Sequence, residues 1–95
     1  MPETGAVGEV QRLFLRHASG LRGFIAGLTP DFDAIEDILH ETFLTATAKA
    51  NEFAPGSDFP AWARAILHPI MLTVNRKNLD RRWPGIGETA KLLGL

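Results

Sequence analysis

The sequence predicts an all-α fold, a compact bundle of three to four helices, on three observations. Apolar residues recur every three or four positions over long stretches, which lines them along one face of a helix. No run alternates apolar and polar residues as a half-buried strand requires. Turn-forming residues punctuate the periodic stretches at Thr29-Pro30-Asp31, at Ala54-Pro55-Gly56-Ser57-Asp58 and at Pro84-Gly85.

In chain order, residues 1–9 are polar and glycine-containing and are expected to form a flexible lead-in. From Val10, the positions Leu13, Phe14, Ala18, Leu21, Phe24, Ile25 and Leu28 define a first helix of about five turns, with Gly20 and Gly23 as weak points. Asp33, followed three residues on by Glu36, resembles a capping box with a carboxylate N-cap and predicts the start of a second helix. Ile35, Ile38, Leu39, Phe43, Ala46 and Ala50 form its apolar stripe, leaving Glu36, Asp37, His40 and Glu41 toward other faces. Phe53 closes that run, and Ser57 or Asp58 can cap a third helix. Trp62, Ile66, Ile70 and Val74, joined by Ala65, Leu67 and Met71, form a third stripe that continues toward Leu79 and Trp83. Pro69 lacks the N–H that would bond to Ala65, a defect costing about 3 kcal/mol inside a helix. The third helix is therefore expected to be kinked or broken at Pro69, where proline would suit the first turn of a second piece. The organised domain spans residues 10–83, and residues 84–95 are expected to start a linker or form a loose tail.

Composition excludes several classes. Ninety-five residues make one domain and one small core. Without cysteine, neither disulfides nor thiolate-held zinc can support it. No apolar window reaches the ~18 residues of a spanning helix, and the first residues lack a basic segment followed by an apolar run, so a cytoplasmic address away from the membrane is expected. No nucleophile stands beside a base and no glycine-rich phosphate loop is present, so neither catalysis nor a cofactor is expected. Asp37 and His40 mimic half of a carboxylate-bridged metal site, but His17 and His68 have no carboxylate at the matching offset. They are expected as surface or partly buried packing residues.

The net charge of −1 conceals an asymmetry. Residues 1–60 carry four basic against nine acidic side chains, and residues 61–95 carry six basic against two acidic. Such a chain can offer an acidic face to a basic protein and a basic face to phosphates, although charges that merely solvate a bundle give the same count.

The stretch Phe32–Arg82 carries a more specific pattern. Ala34-Ile35-Glu36-Asp37-Ile38-Leu39-His40-Glu41-Thr42-Phe43-Leu44 is followed by Phe53, by Phe59-Pro60-Ala61-Trp62-Ala63-Arg64-Ala65-Ile66, by Asn75-Arg76-Lys77 and by Arg81-Arg82. In order and spacing it resembles region 2 of the extracytoplasmic-function sigma factors of the sigma-70 family. His40 stands where the family usually has Gln, and Pro69 where it often has Asn.

The resemblance implies a non-enzymatic transcription-initiation domain that docks on core RNA polymerase and recognises and melts the promoter minus-10 element. It implies that Glu36, Asp37, His40 and Glu41 meet basic side chains on the clamp helices of the large polymerase subunit. It further implies that the loop from Phe53 to Phe59, with Gly56 and Ser57, captures a base flipped out of the non-template strand. Arg64, His68, Arg76, Lys77, Arg81 and Arg82 would hold that strand's phosphates. An anti-sigma factor is a candidate third partner. For the loop, the ordinary alternative is a connector whose two phenylalanines plug the core. A sigma-like bundle that binds polymerase or a regulator without reading DNA is the second reading for the whole chain.

Overall fold

A computed structural model of the chain describes residues 2–29, 31–82, 85, 88 and 91–94. They contain three α-helices, α1 (Pro2–Leu28), α2 (Phe32–Ala48) and α3 (Phe59–Arg82), with a 3-10 turn, Ala50–Glu52, after α2. Among the described residues there is no strand, and the all-α expectation holds. Phe14 meets Phe43 and Arg22 meets Glu36, so α2 runs antiparallel to α1. Phe59 lies against Phe14 and His17, and Asn75 against Thr29, so α3 runs parallel to α1.

The helix boundaries differ from the expected ones for local reasons. Helix α1 already includes the segment expected as a lead-in, because Ala6 and Val7 continue the stripe of Val10 and pack against the core. The N-cap of α2 is Asp31, not Asp33: its Oδ1 accepts from the Asp33 N–H at 3.0 Å, and its extended backbone (φ −93°, ψ 107°) turns the chain into the helix. Glu36 is thereby freed from a capping box and forms an ion pair with Arg22 on α1. Of the two expected caps of α3, Ser57 and Asp58, it is Asp58 that starts the helix, its Oδ1 accepting from the Ala61 N–H at 3.1 Å.

At Pro69, α3 shows no break, the second of the two outcomes expected there. It is one continuous helix from Phe59 to Arg82 with the proline inside it. Pro69 and Ala65 are both exposed, so water can serve the Ala65 carbonyl that the missing N–H leaves free. Buried Ala63 and Leu67 before the proline, and Met71 after it, hold both halves to the same core.

That core joins Val10, Phe14, Leu21 and Ile25 of α1, Ala34, Ile35, Ile38, Leu39 and Ala46 of α2, and Phe59, Ala63, Leu67 and Met71 of α3, closed by Ala50 and Phe53. Thr42 is fully buried among them because its hydroxyl donates to the Ile38 carbonyl at 2.7 Å. The centre of the buried face of α3 is thus Phe59-Ala63-Leu67-Met71. Trp62, Ile66, Ile70 and Val74 are half-buried at its edge, and Leu79 is exposed. Trp83 lies outside the described residues.

Candidate polymerase and nucleic-acid interface

Helix α2 keeps its apolar stripe inside, which turns Glu36, Asp37, His40 and Glu41 to solvent. Positions 37, 40 and 41 fall on one side, as spacings of three and four require. Along that side α2 and α3 border an open groove of about 540 Å³. Asp37, His40 and Glu41 of α2 line one wall, while α3 lines the other with Ile70, Thr73, Val74, Lys77, Asn78 and Arg81. One wall is acidic and the other basic. Among the described residues no ion pair crosses the groove. Glu36 lies apart from this set, held by Arg22.

The cations expected to form one track along α3 are divided among its sides. Lys77 and Arg81 face the α2 groove. Arg64 turns toward α1, its guanidinium carbon 5.9 Å from the centroid of the Phe24 ring. His68 and Arg76 are exposed, and the side chain of Arg82 lies outside what the structure describes. The Arg81 guanidinium donates to Asn78 Oδ1 at 2.7 Å.

The loop between α2 and α3 behaves differently. Gly56 and Ser57 are exposed at its tip, and Gly56 takes φ +85°, a left-handed conformation for which glycine is suited. Phe53 and Phe59, expected as walls for a base, are only 6 % and 3 % exposed. They pack edge-on at 5.5 Å, Phe53 lies 5.1 Å from Trp62, and His17 stacks on Phe59 at 5.7 Å. The two rings plug the core and present no free face to a base. His17 is accordingly a partly buried packing residue, and His68 a surface one.

Three residues of this region do not stand out in the sequence as site residues. Arg22 engages Glu36 across helices. Thr29 donates its hydroxyl to Asn75 Oδ1 at 2.7 Å, joining the end of α1 to α3. Asn78 is 8 % exposed, and its Nδ2 has no hydrogen-bond partner among the described residues. Periodicity flags Asn78 as inward-facing, since it continues the buried side of Leu67, Met71 and Val74, but it cannot say what the amide meets.

Comparison with known proteins identifies the family. The sigma-70 region 2 family model matches residues 13–80. The ECF RNA polymerase sigma factor EcfG of Rhodopseudomonas palustris (strain TIE-1) is 36% identical over 73 residues, covering 77% of this chain and 40% of that protein. The RNA polymerase sigma factor CarQ of Myxococcus xanthus is 34% identical over 62 residues, covering 65% of this chain and 36% of that protein. This chain therefore spans about two fifths of the length of the curated relatives it matches. No solved structure gives a significant match. No helix among the described residues is long and apolar enough to cross a membrane. The family match takes in α2, the loop after it and α3 as far as residue 80, so it includes Lys77 and Asn78 but stops short of Arg81, and the chain belongs to the sigma-70 region 2 family, on the extracytoplasmic-function side to which its residues point.

Proposed function

We propose that this domain acts in transcription initiation by docking on core RNA polymerase through α2 and engaging the non-template strand of the minus-10 element through α3. The observation that carries the reading is the groove whose walls carry opposite charge, with no ion pair across it among the described residues. Asp37, His40 and Glu41 are exposed on a rigid helix whose opposite face is core, so they can meet a basic partner without the domain rearranging. The partner is the pair of clamp helices of the large polymerase subunit, and Glu36 has a flanking role limited by its bond to Arg22. An anti-sigma factor would compete for the same face, and the reading carries a cytoplasmic address with it.

Lys77 and Arg81, with Arg76 beside them, attract strand phosphates, while Arg64 extends the positive region toward α1 and exposed His68 can hydrogen-bond to the strand. Arg82 belongs to this set by sequence. Exposed Gly56 and Ser57 can approach a base or sugar, and buried Phe53 and Phe59 fix the shape of the loop that presents them. Melting needs no catalytic group: binding the opened strand better than the duplex shifts the opening equilibrium by mass action.

Pull-down of core polymerase by the wild type and by the double variant D37K/E41K tests the docking half. The variant should lose at least about tenfold in affinity with its melting temperature nearly unchanged, because both residues are exposed. Equal capture by both proteins would overturn that half. A sigma-like bundle that binds polymerase or a regulator without reading DNA remains the second reading. It is favoured by the burial of Phe53 and Phe59 and by the division of the cations among the sides of α3. Single-stranded DNA binding that is the same at low and high salt, and unaffected by R76Q/R81Q, would decide for it.

A further inference from the structure

Asn78 stands at a place where its amide is a liability. The side chain is more than nine-tenths buried on the inward side of α3, where an apolar residue would complete the line of Leu67, Met71 and Val74. Its orientation is fixed chemically. The guanidinium of Arg81 can only donate, so the atom 2.7 Å from it must be the amide oxygen. That leaves both hydrogens of Nδ2 inside the protein, and no acceptor among the described residues meets them. A buried amide nitrogen without a partner opposes folding. The return for that cost is the hydrogen bond to exposed Arg81.

The bond has a directional consequence. Arg81 lines the groove opposite Asp37 and Glu41, and a long cationic side chain in that position would be drawn toward the carboxylates. Among the described residues it reaches neither, and the Asn78 carbonyl holds it on its own wall. Lys77, the residue before Asn78, lines the same wall, so the hold fixes where the second positive charge stands relative to the first.

We infer that Asn78 is a positioning residue for Arg81, keeping its guanidinium on the α3 wall for a strand phosphate at the cost of a buried amide nitrogen that meets no acceptor among the described residues. The inference rests on the proposed strand-binding role of α3. It makes stability and binding move in opposite directions, which a structural role for Asn78 would not do.

The test uses the full chain with a fluorescently labelled, mixed-sequence single-stranded DNA, followed by anisotropy over a range of salt concentrations and paired with thermal melts. R81Q should weaken binding roughly three- to tenfold and lower the salt slope by about 0.7, the loss of one single-strand phosphate contact. N78L should weaken binding roughly two- to fivefold and leave the slope unchanged, because the Arg81 charge persists, while its melting temperature stays level or rises. N78D should lower the slope nearly as much as R81Q, because a carboxylate there neutralises the guanidinium. The double variant N78L/R81Q should bind no worse than R81Q alone.

Two failures are distinguishable. If R81Q binds like the wild type, or the wild type does not bind, the strand-binding role of Arg81 falls, and this inference with it. If R81Q weakens binding but N78L does not, or if both N78L and N78A lower the melting temperature by more than roughly 5 °C, Asn78 is a packing residue and the inference alone is overturned.

Discussion

The outer face of α2 and the loop between α2 and α3 are both implicated by the same resemblance, yet they treat their side chains in opposite ways. On α2, Asp37, His40 and Glu41 stand in solvent because Ile35, Ile38, Leu39 and Thr42 take the interior. Around the loop, Phe53 at its entry and Phe59, the first residue of α3, go inward and leave Gly56 and Ser57 outside. The difference shows what each kind of segment specifies. A helix divides its residues by period, so naming the buried stripe names the exposed one. A loop has no period, so Phe53 goes to whatever apolar surface is available, here Phe59 and Trp62, while Phe59, the first residue of α3, is already committed to that helix's buried stripe and fills the gap between Phe14, His17 and Trp62.

The largest effect expected from this contrast is on the loop side. Phe59→Ala removes a ring that touches Phe14, His17, Phe53 and Trp62, and should cost about 3 to 5 kcal/mol. That approaches the whole stability of a small domain, so the variant should be largely unfolded by circular dichroism near 37 °C. A well-folded F59A that lost only DNA binding would reverse the assignment and return Phe59 to the interface.

An intermediate effect is expected at the loop's exit. Asp58→Ala removes the cap of α3 and should lower stability by about 1 kcal/mol, as read from urea denaturation. Gly56→Ala should cost about the same for a different reason. The space around it is open, and only its positive φ resists a side chain. Losses much beyond about 2 kcal/mol at either position would mean that the loop tip is packed rather than exposed.

The legible parts of the molecule follow the same division. The three helices, the core positions of α2 and the Asp58 cap are readable because each rests on a short-range rule. The N-terminal start of α1 is hidden because Gly5 and Gly8 suggest a lead-in, although Ala6 and Val7 continue the stripe. The break at Pro69 is an expectation from the proline alone. Whether it costs a break depends on where the orphaned Ala65 carbonyl faces, which is set by the neighbouring helices. For α3, Trp62 and the residues four apart from it draw attention to an edge of the buried face, while small Ala63 lies at the true centre. The site is legible as a set of charges but not as a groove. Which wall each charge lines, and the division of Arg64 from Lys77 and Arg81, depend on how α3 packs between α1 and α2.

The smallest effect expected tests whether the four acidic-face positions form one surface. Glu36 differs from Asp37 and Glu41 in having Arg22 as a partner on α1, with both side chains about half exposed or more. Such a pair contributes at most about 1 kcal/mol, and less as salt rises. Arg22→Ala should therefore shift the urea midpoint only slightly, with the shift vanishing at high salt. Its value lies in polymerase capture. If the Arg22 bond withdraws Glu36 from the interface, E36K should impair capture less than D37K in the wild-type background, and R22A should narrow that gap by freeing the carboxylate. If E36K and D37K are equally damaging in both backgrounds, the ion pair has no bearing on docking, and the acidic face is a single field in which position along α2 does not matter.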